Sequence, residues 1–437
     1  MESYQQVSVS DSYIVPTLAK PVIASIKPPG SKSITNRALL CAALANGKTT
    51  LNGCLRSDDT RVMINALSQL GLNVGEDTND GSISIEGQGG SIASGQNIFV
   101  ENSGTTIRFL TGALSVLGGR FTLDGIARMR ERPILHLVDA LNQLDCGVSC
   151  GTNGCPPVQI DGSGAYGGEI SVRGDFSSQF LSGLLMALPY ASEPVTITID
   201  GTLVSIPYVQ MTIDVMASFG ICVSHENFQS FSVAAPLEYH ARAYDVEPDA
   251  SAASYFMALA AATGSTITIE GIGQNSIQGD IRFADVLEEM GCEVTWSESS
   301  VTISGRELVG IDVDMNGISD TVQTLAVLAL FARGPTKIRN VGHIRHKETD
   351  RLAALAIELA KLGATIIESA DTLEINPGTL AGAKINTYND HRMAMSFAIA
   401  GLRIPDVELE NPGCCEKTYP EFFNDLQRVI NADSGSA

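Results

Sequence analysis

In "PPGSKSITNRALL" (28–40) a glycine, two serines, a lysine and an arginine stand in front of an apolar run. Small residues before a helix leave N–H groups free at its positive end, and Lys32 and Arg37 add full charges there, an arrangement suited to phosphate or carboxylate. The nearest short motif is the phosphate loop G-x-x-x-x-G-K-[ST], whose last letters Lys32 and Ser33 supply. Ser31 and Ile26 stand where its glycines should be, so it is not that loop. Taken alone, the stretch reads equally well as a capped, basic first turn.

It does not stand alone. Similar polar clusters open other apolar segments: "NSGTT" (102–106), "DFSSQ" (175–179), "DAS" (249–251), "SDT" (319–321) and "NDHR" (389–392). A second set, "SDDTR", "RMRERP", "SIPY", "QGDIR", "HKETDR" and "EKTYP", opens more amphipathic segments. Ser, Asp and Asn are ordinary capping residues, but cations oppose the helix dipole at an N-terminus. Lys32, Arg132, Lys347, Arg392 and Lys417 are all expected there. A shared ligand with more than one anionic group would remove the conflict. Asp320 and Glu348 are candidates for proton transfer or, equally, a helix cap and a surface ion pair. His391, between Asp390 and Arg392, could contact a ligand or merely cap. No G-x-S-x-G or H-E-x-x-H is visible, which leaves metal-free, non-covalent acid–base chemistry on a phosphorylated small molecule.

Charge and composition narrow the partners. The 437 residues carry 49 acidic against 28 basic side chains, a balance that repels nucleic acid and anionic membranes, so neither is expected as a partner. Any anion site must be a local basic focus. The opening "MESYQQVSVSDSY" lacks a secretory pattern and no apolar run is long enough to span a bilayer, so a soluble, cytoplasmic protein is expected. Nine cysteines are an odd number for a disulfide framework and read as reduced thiols. Cys146, Cys150 and Cys155 come near metal spacing without a further ligand nearby in sequence, so no metal is expected.

The elements that must position these residues repeat. Six times an apolar strand ends in a turn, at Asn52, Asp124, Asp200, Glu270, Asn340 and Glu410, with spacings of 72, 76, 70, 70 and 70. Alternation such as Thr266, Ile267, Thr268, Ile269 marks strands. Before each lies an apolar segment of helical length, as in "FLSGLLMALPY", and after each turn an amphipathic one, as in "LAALAIELAKLGATI". A unit of about 70 residues with two helices and several strands is too long for a solenoid repeat and suits a closed globular array.

Nine motifs in order, "PGSKSITNRALL", "LRSDDTRVM", "NSGTTIRFL", "RERPI", "GDFSSQF", "PDASAASYF", "KETDRL", "YNDHRMAMS" and "KTYPEFF", resemble the 5-enolpyruvylshikimate-3-phosphate (EPSP) synthase family along nearly the whole chain. The resemblance implies an α/β fold of two similar domains, each of three repeated α/β units (an inside-out α/β barrel), with a ligand cleft between them. It puts one domain at 28–246, on the shikimate phosphate side, and the other at 1–27 plus 247–437, on the phosphoenolpyruvate and acid–base side. The reaction implied is transfer of the enolpyruvyl group of phosphoenolpyruvate to the 5-hydroxyl of shikimate 3-phosphate, with no cofactor, in a target of glyphosate. A monomer is expected.

Carried over position by position, the resemblance gives shikimate 3-phosphate Lys32, Ser33, Arg37, Ser177, Ser178, Gln179, Ser205, Tyr208, Asp320, His343 and Lys347. Phosphoenolpyruvate receives Lys32, Asn102, Gly104, Arg132, Gln179, Arg351, His391, Arg392 and Lys417, and the catalytic roles fall to Lys32, Asp320 and Glu348. Two positions depart from the family pattern: His343 stands where many relatives have Asn, and Ile206 where a basic residue often precedes "PY". Within the same fold, UDP-N-acetylglucosamine enolpyruvyl transferases usually carry a reactive Cys five residues before their R-P pair; here that residue is Ala127. A repeat scaffold without activity would not need Lys32, Arg132, Arg392 and Lys417 at helix starts.

Overall fold

The computed structural model describes residues 11–77 and 81–432. Both ends of the expected 1–27 plus 247–437 domain, residues 1–10 and 433–437, lie outside them, and so does most of the opening stretch.

Twelve α-helices are described: α1 (Lys32–Leu44), α2 (Asp58–Gln69), α3 (Gly104–Leu117), α4 (Leu135–Asn142), α5 (Ser178–Ala187), α6 (Ile206–Ser218), α7 (Ala250–Thr263), α8 (Phe283–Glu289), α9 (Val322–Leu328), α10 (Arg351–Lys361), α11 (His391–Gly401) and α12 (Phe422–Ile430). They alternate in environment as the hydrophobic pattern predicts. The odd-numbered helices are buried almost all round: every residue of α11, every residue of α1 except Ser33, and every residue of α5 except Gln179. The even-numbered ones bury a single face, as in α10, where Leu352, Leu355 and Leu359 point inward and Ile357 is exposed.

Each pair of helices shares a small sheet built on one plan. In the second copy, Gln96–Phe99 runs parallel to Gly119–Asp124, which pairs antiparallel with Val158–Gly162, and that with Val148–Ser149. The third and fifth copies repeat this order with their own strands. The others borrow. Ala243–Asp245, from the end of the third copy, lies parallel to Asn46–Asn52 of the first, and Ile23–Ile26 lies parallel to Thr266–Glu270 of the fourth. The sixth sheet has three strands and takes Ser12–Ile14 beside Glu408–Glu410.

The chain accordingly divides into two compact units, Gly30–Glu247 and the segments ending at Pro29 and beginning at Pro248. Each contains three copies. In the first unit α3 and α5 approach closely because both are glycines at the contact: a Cβ on Gly112 would fall 2.7 Å from the carbonyl oxygen of Gly183. In the second, the core helices α7, α9 and α11 meet through small hydroxyl residues at matching positions, Ser254 to Thr324 at 3.1 Å and Thr324 to Ser396 at 3.5 Å.

Candidate functional site

Five of the six buried helices start on a side-chain cap. Ser31, Ser103, Ser177, Asp249 and Asp390 each accept an N–H of the first turn of α1, α3, α5, α7 and α11. The caps fix where each helix begins, and with it the direction of the residues beside the cap.

In the unit Gly30–Glu247, Lys32 is the first residue of α1, buried, with its Nζ 3.8 Å from the Asp59 carboxylate in the first turn of α2. Arg37 lies one turn further in. Its Nε donates to Thr212 Oγ1 at 2.7 Å, and its terminal nitrogens donate to the carbonyls of Ser33 (2.9 Å) and Tyr208 (3.1 Å), over the ring of Phe109. Burial pulls its pKa down to about 10, which leaves it charged at neutral pH. Ser33 is half-buried at the same helix start.

The close approach of α3 and α5 brings a second group together. Arg108 donates to Gln179 Oε1 at 2.6 Å, and Gln179 Nε2 reaches Thr105 at 3.4 Å. Arg132 donates to the carbonyl (3.1 Å) and side-chain oxygen (3.4 Å) of Asn102. Gly104 makes room for both guanidinium groups: a Cβ there would lie 2.8 Å from Arg132 Cζ and 3.0 Å from Arg108 Nη1. Ser177 and Ser178 are the cap and first residue of α5. Ser205 heads α6 in a left-handed conformation (φ 56°), with Tyr208 in the turn that follows.

In the other unit the centre is Asp320. It accepts from Arg392 at 2.7 Å and from Lys347 and Arg351 at 3.4 Å each. Arg351, fully buried, also donates to Asp390 at 2.8 Å and to Glu348 at 2.8 Å. Burial works against its charge, but Asp390, Glu348 and Asp320 together raise its pKa. Arg392 reaches the Tyr255 hydroxyl at 3.4 Å. Burial lowers the Lys347 pKa, against the pull of Asp320. Burial, with the charge of Lys347, pushes His343 down to about 3, so it is neutral at physiological pH. His391 is buried with Nδ1 3.7 Å from Asp390, and Lys417 is half-buried at the end of the 3₁₀ segment Pro412–Lys417.

Three expectations about placement need correction. Of the five cations expected at helix starts, only Lys32 and Arg392 lie in a first turn. Arg132 ends a 3₁₀ turn three residues before α4, Lys347 stands four residues before α10, and Lys417 five before α12. Proline at 133, the Asp350 cap and Pro420 let the chain bend before each helix begins. Asp320 does not open a helix either. It sits in the kinked 3₁₀ segment Asn316–Thr321, and α9 starts after it at Val322. Glu348, expected as a surface ion pair if not catalytic, has its partner Arg351 but is nearly buried.

Arg108, Asp59, Asp390 and Tyr255 were missed as members of these groups. Arg108 had a signal, one helical turn after Gly104 on the same face. The others act across gaps of 27 to 137 residues, as in Lys32–Asp59 and Arg392–Tyr255; Asp59 and Asp390 read as ordinary residues of the "SDDTR" and "NDHR" helix starts, and nothing near them in sequence names these partners.

A family model described as EPSP synthase (3-phosphoshikimate 1-carboxyvinyltransferase) matches residues 16–426. The chain belongs to the EPSP synthase family. Among its curated relatives, a chloroplastic 3-phosphoshikimate 1-carboxyvinyltransferase of Solanum lycopersicum is 47% identical over 94% of this chain and 83% of the relative. One of Pseudoalteromonas atlantica is 46% identical over 95% of this chain and 98% of the relative. Among solved structures, the EPSP synthase of Acinetobacter baumannii superposes with a TM-score of 0.79, at 26% identity, over 96% of this chain and 98% of that one. The enolpyruvyl transferase NikO from Streptomyces tendae, at 18% identity and a TM-score of 0.76, shares the fold. The two-domain α/β fold of this family, with three copies in each domain, is therefore the fold of this chain.

Proposed function

We infer that the chain carries out the reaction of its family, moving the enolpyruvyl group of phosphoenolpyruvate onto the 5-hydroxyl of shikimate 3-phosphate with release of phosphate. The observation that carries the reading is the cluster around Asp320, where Lys347, Arg351 and Arg392 are packed with the carboxylates of Asp320, Glu348 and Asp390 in a largely buried setting. Removing ions from water costs more than such pairs usually return, so the charges are better explained by anionic ligands than by stability.

In this reading the enol phosphate of phosphoenolpyruvate is protonated at C3, the 5-hydroxyl oxygen attacks C2, and the tetrahedral intermediate loses phosphate and a C3 proton to restore the double bond as an enol ether. Lys32 stabilises the phosphate and relays a proton, Asp320 accepts the hydroxyl proton, and Glu348 serves proton transfer at C3. Ser177, Ser178, Ser205 and Lys347 hold the shikimate phosphate. Ser33 and Arg37 hold its carboxylate, the bonds to Thr212 and Tyr208 fixing the plane of the guanidinium. Gln179 and Tyr208 line the ring, and Asp320 and His343 take its hydroxyls, the neutral imidazole as a hydrogen-bonding group and not a charge. Phosphoenolpyruvate is bound by Lys32, Asn102, Gly104, Arg132, Gln179, Arg351, His391, Arg392 and Lys417. On this assignment residues 28–246 supply most of the shikimate phosphate site, and 1–27 with 247–437 the acid–base groups.

Addition and elimination require only proton transfers and charge stabilisation, so no cofactor is assigned. The enzyme is proposed to be a monomer, and cytoplasmic in keeping with its nine unbridged thiols. Among the described residues no helix is long and apolar enough to cross a membrane. Glu348→Gln tests the roles: it keeps the shape and removes the titratable group, so substrate affinities should hold while turnover falls about 10²- to 10⁴-fold. Turnover near that of the wild type would take Glu348 out of the mechanism.

A further inference from the structure

Helix α10 carries a buried carboxylate that the proposed chemistry leaves unused. Glu358 lies seven residues beyond Arg351, two turns along the same face, and is 0% exposed. Its Oε1 accepts from the Tyr388 hydroxyl at 2.8 Å, and its Oε2 from the backbone N–H of Asn386 at 3.1 Å and from Lys361 Nζ at 2.7 Å. The first two partners belong to the turn that leads into α11.

That turn is an unusual one. Tyr388 and Asn389 both have φ 53°, the left-handed region, which a bulky side chain such as Tyr seldom adopts. Asn386 Oδ1 accepts the Tyr388 N–H at 2.7 Å, and Thr387 donates to the Glu410 carbonyl at 2.9 Å. Such a backbone persists only where its surroundings over-determine it. Immediately after it come Asp390, which caps α11 and takes Arg351, then His391, then Arg392, which reaches Asp320.

The turn and α10 are therefore tied at two points, Arg351 to Asp390 and Glu358 to Tyr388 and Asn386. One tie would act as a pivot; two fix the direction. Burial, with the Glu358 carboxylate, pushes the Tyr388 phenol up to about 12, so the hydroxyl remains a donor across the working range.

We propose that Glu358 and Tyr388 are positioning residues that hold the 386–389 turn in its left-handed shape and so aim Asp390 and Arg392. This rests on the reading of Arg392 as a phosphoenolpyruvate ligand. Neither residue touches substrate; each acts through the turn.

Tyr388→Phe removes one hydroxyl and keeps the ring. It should raise the KM for phosphoenolpyruvate about tenfold and leave that for shikimate 3-phosphate within about twofold, with a modestly lower melting temperature because the buried Glu358 carboxylate loses a donor. Glu358→Gln, which still accepts from the Tyr388 hydroxyl, should show the same split to a smaller extent. Amide hydrogen exchange over 387–392 should quicken in both. A phosphoenolpyruvate KM within about twofold of wild type, or equal rises in both KM values, overturns the proposal. Should the wild type release no phosphate from these substrates, the functional reading fails on that ground, and the exchange rates decide alone: faster exchange supports the strut and unchanged exchange refutes it.

Discussion

His343 illustrates how far a single residue's environment decides its chemistry. With its pKa down near 3 against an ordinary 6.5, it is neutral in the folded protein while the unfolded chain takes up a proton below about pH 6.5. Between those values the unfolded state binds more protons, so stability falls as pH falls, by up to about 1.4 kcal/mol per pH unit from this group. His343→Asn should remove that loss. The variant should gain on the wild type as urea unfolding is moved from pH 7 to pH 5, with no relative gain above pH 7; parallel pH profiles would mean that the ring protonates where it stands. Gly104 makes a steric prediction. An added methyl presses on the movable guanidinium ends of Arg132 and Arg108 and not on backbone, so Gly104→Ala should fold normally. It should weaken glyphosate more than the shorter phosphoenolpyruvate, at some cost in substrate KM. Inhibition curves read beside KM values check it, and an unchanged ratio of the two affinities would show that the glycine does not discriminate.

Side-chain caps fix where five of the buried helices begin. Asp249 accepts the Ala252 N–H at 2.9 Å and places a negative charge at the start of α7. Asp249→Ala should lower stability by about 1 kcal/mol, and Asp249→Ser should recover most of it, seen as shifts of the urea midpoint. An Ala variant as stable as wild type would mean that packing alone fixes the helix start. Among the described buried helices, α9 alone starts without such a cap, and there the kink at Ile318 leaves Asp320 turned to three cations. The six helix pairs and the strand ends were legible in the sequence because alternation, helical periodicity and cap residues are local. The kink was not, because "SDT" reads as a cap like the others, and only Lys347, Arg351 and Arg392, distant in sequence, give the carboxylate different partners. The resemblance likewise named most of the residues in both groups, but of their supports only Arg108 had a local signal, and the roles of Asp59, Asp390 and Tyr255 are visible only once the helices are packed.

For the whole molecule, the 70-residue period foretold six copies but not which strand completes which sheet. Short strands such as Ala243–Asp245 carry no mark of their partner, and it is this strand and Ile23–Ile26 that bring the chain's passages near Pro29 and Glu247 into the sheets of the first and fourth copies. The direct measurement is phosphate release by the purified protein with phosphoenolpyruvate and either shikimate 3-phosphate or UDP-N-acetylglucosamine, with the organic product weighed by mass spectrometry. The account predicts release that requires both phosphoenolpyruvate and shikimate 3-phosphate, one enolpyruvyl ether formed per phosphate, and none with the nucleotide sugar. Release with the nucleotide sugar alone, or with neither acceptor, would contradict it.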